Sequence, residues 1–146
     1  MVHGSGLFSK AENLENFPAI IIFPQCATED YWSNAKVKRN KRPFRLKFNY
    51  NRKPTKAMTL MMDLVDETLA KPFVKADQVY VMGLSMGGMG TFELLHRKPT
   101  VFAAAIAICG GGQAKGAKDF FDTPLWVFHG ANDDVVNPEL SIEMVS

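Results

Sequence analysis

The stretch Gln78-Val79-Tyr80-Val81-Met82-Gly83-Leu84-Ser85-Met86-Gly87-Gly88 decides how the rest of the chain is read. Gln78 to Met82 (QVYVM) is short and apolar on both faces, the pattern of a strand buried inside a parallel sheet. Gly83 follows at once, and Met89 to Arg97 reads as a helix stopped near Pro99. Working outward, the same alternation recurs. Upstream, Ala19 to Phe23 (AIIIF) reads as a buried strand ending at Pro24. Pro54 to Lys71 reads as a helix with Pro54 in its first turn, Ala57, Met61, Leu64, Val65 and Thr68 on one stripe, and Pro72 as its stop. Downstream, Phe102 to Ile108 (FAAAIAI) and Leu125 to Phe128 read as strands, and Pro138 to Val145 opens a further helix. Strand and helix alternate without a hairpin signal, so a mostly parallel sheet with helices on both faces is expected. No repeat, low-complexity tract or linker divides it, and residues 1–146 read as one domain.

Composition narrows the function classes. Hydrophobic residues make up 47% and charged residues 22%, which fits a globular protein and argues against a disordered chain. No apolar run approaches the roughly 18 residues needed to cross a bilayer, so no membrane span is expected. Met1 to Lys10 lacks the basic-then-apolar order of a signal peptide. Cys26 and Cys109 match no CxxC or zinc-ligand spacing, and each reads as a buried free thiol after an apolar run. The net charge of +2 does not by itself argue for a nucleic-acid partner. The charge is uneven, however, because ten Lys and Arg residues fall between Lys36 and Lys56 and no acid lies between Asp30 and Asp63. That run reads as a solvated excursion between core elements, with binding of an anionic polymer as the alternative. No nucleic-acid motif accompanies it, and no nucleic-acid partner is expected. Compartment and oligomeric state are open.

Gly83-Leu84-Ser85-Met86-Gly87 fits the pattern Gly-x-Ser-x-Gly, set between an apolar strand and a helix. A chain turning sharply from strand to helix holds the Ser in a strained conformation that exposes its hydroxyl. Small residues two before and two after it avoid clashes across the turn, and Gly88 and Gly90 let the helix pack close to the sheet. The helix N-terminus faces the reacting centre, so Ser85 is the candidate nucleophile and the Met86 N–H the candidate oxyanion donor. A phosphate-binding turn is the alternative, but the stretch lacks the Lys of a Walker loop and the spacing of G-x-G-x-x-G. Beyond the last strand comes His129-Gly130-Ala131-Asn132-Asp133-Asp134-Val135-Val136. Functional groups in parallel sheets gather at the carboxyl ends of strands. An Asp there, two strands from Ser85, can orient a His beside it; alternatively Asp133 or Asp134 caps the next helix.

GLSMGG, ICGGG and HGxxD followed by xxV, with FPAIIIFPQC and PTKAM…LVDETL, resemble the carboxylesterases and predicted peptidases of the α/β-hydrolase superfamily. The nearest groups are those related to polyhydroxybutyrate depolymerases, feruloyl esterases and phospholipase/carboxylesterase-type enzymes. The resemblance implies an α/β-hydrolase fold, with Ser85 as nucleophile, Met86 as oxyanion donor and Asp133 as acid of a Ser-His-Asp triad. It further implies hydrolysis of a small-molecule or polymer-derived carboxylic ester, without metal or organic cofactor. A peptidase of the same fold and a non-catalytic binding protein are the alternatives. The three histidines do not fit the triad. His96 lies eleven mostly helical positions past Ser85, roughly 16 Å along the axis, and His129 about two strand spacings, roughly 10 Å, to one side. His3 precedes the first strand, and His3-Gly4-Ser5-Gly6 is read as a segment later than the family's oxyanion loop. The expectation is an incomplete hydrolase domain, with early strands, last strand, triad His and second oxyanion donor outside the chain.

Overall fold

A computed structural model describes residues 4–146; His3 lies outside them. Two short helices, α1 (Ser5–Phe8) and α2 (Ala11–Asn16), precede an antiparallel hairpin of β1 (Ala35–Lys38) and β2 (Arg45–Phe48). There follow α3 (Lys56–Leu69), β3 (Tyr80–Leu84), α4 (Met86–Arg97) and β4 (Ala104–Ile108). A 3₁₀ helix (Ala114–Phe120), β5 (Leu125–Phe128) and α5 (Glu139–Ile142) complete the order. β3, β4 and β5 form a parallel sheet in that spatial order, with Gly83 opposite Ala107 and Ala107 opposite Val127. A parallel sheet with helices packed on it is the α/β class the alternating apolar runs predict, and the arrangement is that of a partial α/β-hydrolase fold, as the resemblance implies.

The core lies between α4, α3 and one face of the sheet. Phe92 and Leu95 of α4 and Met58 of α3 pack with Ala105 and Ala107 of β4, Phe102, Phe120 and Met144. Val81, Leu125 and Val127 close the cluster from β3 and β5. Helices were expected on both faces, but among the described residues only this face is covered. Tyr80, Met82, Leu84, Trp126 and Phe128 point the other way and are exposed. No helix of the described residues is long and apolar enough to cross a membrane.

Three expectations are corrected. Ala19–Phe23 is not a strand: no backbone hydrogen bond joins it to another strand among the described residues, and Ile20, Ile21, Ile22 and Phe23 are exposed. An apolar run becomes a strand only where a neighbour takes its N–H and C=O groups. Pro54 precedes α3 rather than entering it, because Thr55 is the N-cap and its hydroxyl accepts the Met58 N–H at 3.1 Å. The basic excursion contains a hairpin, which the sequence reading missed. Its strands alternate basic and apolar residues, AKVK and RLKF, but are four residues each and lack a two-residue turn signal. The hairpin docks through Phe44, whose N–H donates to the Val135 carbonyl at 2.8 Å and which bridges Val136.

Candidate active site

Ser85 sits between β3 and α4 with φ 56° and ψ −114°, a conformation that non-glycine residues rarely adopt. The surrounding chain imposes it. The Ser85 N–H donates to the Ile108 carbonyl at 2.7 Å, continuing the β3–β4 ladder past the last strand residue. One residue later the helix begins, so the direction change falls on Ser85. A Cβ at Gly83 would collide with the carbonyl of Gly87, which requires glycine at 83. Position 87 is different, since a Cβ there meets nothing within 4 Å; the expected clash after the serine is absent. Gly88 does bring α4 close to the sheet end, because its Cβ would lie 2.8 Å from the Ile108 carbonyl oxygen. Gly90 instead faces Trp32. Met86 is the first helical residue, and its N–H has no acceptor one turn earlier. No described residue hydrogen-bonds the Ser85 hydroxyl.

Asp133 lies past the end of β5, with β4 between that strand and β3. Its Oδ1 accepts the N–H groups of Val135 at 2.8 Å and Val136 at 2.9 Å, and its Oδ2 is 3.3 Å from His129 Nε2. Partial burial works to raise the carboxyl pKa. The Val136 and Val135 donors, with His129, outweigh it and hold Asp133 below the ordinary carboxylate range. Asp133 therefore closes its own turn and does not cap α5. Asp134 points outward and pairs with Arg42 at 2.9 Å, both side chains largely exposed.

The histidines are engaged elsewhere. His129 Nε2 faces the Val136 carbonyl at 3.0 Å as well as Asp133, and Nδ1 meets the Ser141 hydroxyl at 2.7 Å. Ser141 in turn lies 3.1 Å from the Gly110 carbonyl, tying α5, the glycine turn and the Asp133 loop together. His96 Nδ1 is 2.7 Å from Asp119, and its ring packs on Tyr50.

Other features escaped the sequence reading. Cys109, expected to be buried, is only half-buried and is the other non-glycine residue with positive φ, at 48°, among those described. Its N–H donates to the Phe128 carbonyl at 2.7 Å, repeating on the next strand what Ser85 does. Its sulfur lies within 4.8 Å of ligand atoms on His129 and Asp133. Both imidazole nitrogens of this group hold hydrogen bonds. Glu93, fully buried in α4, accepts from Ser33 and the Asn34 N–H and pairs with Arg97, which also donates to the Tyr50 and Arg52 carbonyls. This pair fastens the hairpin's flanks to the helix that follows Ser85. In the sequence it shows only as an ordinary i, i+4 spacing of Glu and Arg.

The parallel sheet and the strand–serine–helix junction define a portion of an α/β-hydrolase fold. Comparison with known proteins agrees. Residues 44–114 match the prolyl oligopeptidase family (Peptidase_S9). A bifunctional acetylxylan esterase/xylanase of Neocallimastix patriciarum is 33% identical over 84 residues, 57% of this chain and 12% of that protein. The crystal structure of a thermostable esterase aligns with a TM-score of 0.80 at 28% identity, covering 97% of this chain and 36% of that one. A SOBER1 variant of Arabidopsis thaliana shares the fold, with a TM-score of 0.52 at 21% identity over 61% of this chain and 45% of its own. The chain thus spans less than half the length of each of these three proteins.

Proposed function

We propose that this chain is part of a single catalytic domain that hydrolyses a carboxylic ester by acyl transfer, with Ser85 as nucleophile. The carrying observation is the Ser85 backbone, held at φ 56° by the Ile108 hydrogen bond and the start of α4. The Ser85 Oγ attacks the ester carbonyl and passes its proton to a histidine, which hands it to the departing alcohol. Water then releases the acyl group by the reverse route. The Met86 N–H stabilises the oxyanion, and Asp133, kept ionised, orients the histidine. His129 and His96 are engaged elsewhere, so neither is that base. The likeness to an acetylxylan esterase/xylanase supports a short acyl group carried on a polysaccharide. The match to the prolyl oligopeptidase family favours a peptidase as the second reading, because the same triad cleaves amides.

A fluorophosphonate probe should label the whole protein and fail to label its Ser85→Ala variant. Hydrolysis of p-nitrophenyl acetate and of peptide anilides then separates ester from amide. Asp133→Asn should lower turnover by about 10⁴-fold, and Asp134→Asn by no more than about threefold, since an exposed ion pair contributes little. Labelling that survives Ser85→Ala would remove the assignment.

A further inference from the structure

The hairpin turns a basic run into a surface. Its register sets Lys36 opposite Lys47 and Lys38 opposite Arg45. Strand alternation exposes all four, while Ala35, Val37, Leu46 and Phe48 turn inward. Directly opposed side chains in an antiparallel pair are about 5 Å apart, and like charges so placed destabilise the sheet. Two such repulsive pairs lie next to each other here, and none of the four cations has an ion-pair partner among the described residues. The hairpin's one ion pair there, Arg42–Asp134, is at its loop. A face that opposes its own folding in this way is relieved when an anion lies along it.

The hairpin is also attached to the candidate active site. Phe44 bonds to Val135 and bridges Val136, the residues whose N–H groups hold Asp133 or follow it, and Arg42 pairs with Asp134. The aromatic residues nearby are not free to stack bases. Tyr50 is buried, Phe48 lies against Gly111, and Phe44 has the guanidinium groups of Arg39 and Arg42 each 5.9 Å from its ring. Single-stranded nucleic-acid sites combine cations with such stacking platforms. We propose that Lys36, Lys38, Arg45 and Lys47 bind an acidic polysaccharide, a linear polymer bearing carboxylates, and so hold the ester-bearing polymer beside Ser85. This rests on the acyl-transfer reading above for its purpose, but its binding step is testable alone.

The test is affinity electrophoresis of the protein through gels containing polygalacturonate or uncharged dextran, with anisotropy binding of labelled oligothymidylate alongside. Polygalacturonate should retard the protein and dextran should not. Its apparent Kd should rise at least about tenfold between about 50 and about 200 mM salt, as for other multi-cation contacts to a polyanion. Replacing all four residues by Gln should weaken binding at least about tenfold, while the same change at Lys10, Lys71, Lys75 and Lys115, which removes equal charge elsewhere, should leave it within about twofold. The fourfold Gln variant should melt no lower than the native protein, because repulsion has been removed. A lower melting point would overturn the repulsion argument. Unchanged retardation of the variant, equal retardation by dextran, or tighter binding of oligothymidylate would overturn the proposal. Ser85→Ala should bind polygalacturonate as the native protein does. Loss of probe labelling with binding intact therefore counts against acyl transfer alone, and loss of binding with labelling intact against this surface alone.

Discussion

The two faces of the three-stranded sheet carry similar polarity and opposite bulk. Under α4 the rows read Gly83, Ala107, Val127 and Val81, Ala105, Leu125, with the smallest residues on β4 and at the end of β3. On the other face the rows read Met82, Ile106, Trp126 and Leu84, Ile108, Phe128. The small residues belong where a helix comes within touching distance, at the turn that bends the chain through Ser85. The large ones stand on the open face, where Trp126 is 68% exposed against 0% for Phe92, which α4 itself buries against the covered face. Hydrophobicity alone predicts cover for both faces; side-chain volume tells which one receives this helix.

The largest effect that would sharpen this contrast is the loss of a ring from the covered side. Phe92→Ala should lower unfolding stability by about 3–5 kcal/mol, read from urea titration. Trp126→Ala on the open face should cost under about 1 kcal/mol, chiefly the edge contact with Phe128. It should also reduce fluorescence of a hydrophobic dye such as anilinonaphthalene sulfonate, because exposed apolar area is removed. Equal losses from the two variants would break the distinction between the faces.

A smaller effect tests volume directly. Ala107→Leu adds atoms under α4, where Ala107 has no exposed surface, and should cost about 1–3 kcal/mol through displaced neighbours. Its chain neighbour Ile108 faces the other way, and Ile108→Leu should cost under about 1.5 kcal/mol. If Ala107→Leu were neutral in thermal melts, small volume on the covered face would not be what admits the helix.

Much of this was legible in the sequence, and the reasons divide by range. The strand at Leu125–Phe128 was read with its observed bounds, and the strand–serine–helix turn was placed correctly, because apolar runs and glycines are local signals. The helix at Met86 begins three residues before the reading's Met89, since glycines hide helical period. What failed depended on partners far along the chain. Ala19–Phe23 has the composition of a strand but no strand partner among the described residues, whereas AKVK and RLKF have poor strand composition but each other. Cys109 looked like core because it follows FAAAIAI, yet it is the residue at which the second strand turns at the rim. The Glu93–Arg97 pair is buried only because the segments around Ser33 and Tyr50 fold over it.

The smallest effect concerns the rim where the two faces meet, and it separates two adjacent carboxylates. Asp133 is held by the Val135 and Val136 N–H groups and His129, whereas Asp134 reaches only exposed Arg42. The folded-state pKa of Asp133 is depressed, so as pH falls the unfolded chain takes up the proton first, near the ordinary value of about 4. The stabilisation is complete above that value and disappears as pH falls through the lower folded one. Asp133→Asn should therefore lose about 1 kcal/mol at neutral pH, since the amide oxygen can still accept one backbone bond. Its stability should also change less below about pH 4 than that of the native protein. Asp134→Asn should track the native protein throughout, because an exposed pair contributes little. Urea midpoints measured from neutral pH down to about pH 3 would show it. A flattened acid limb in Asp134→Asn with a native one in Asp133→Asn would mean that the outward carboxylate, not the one facing the rim, is the residue tied to the fold.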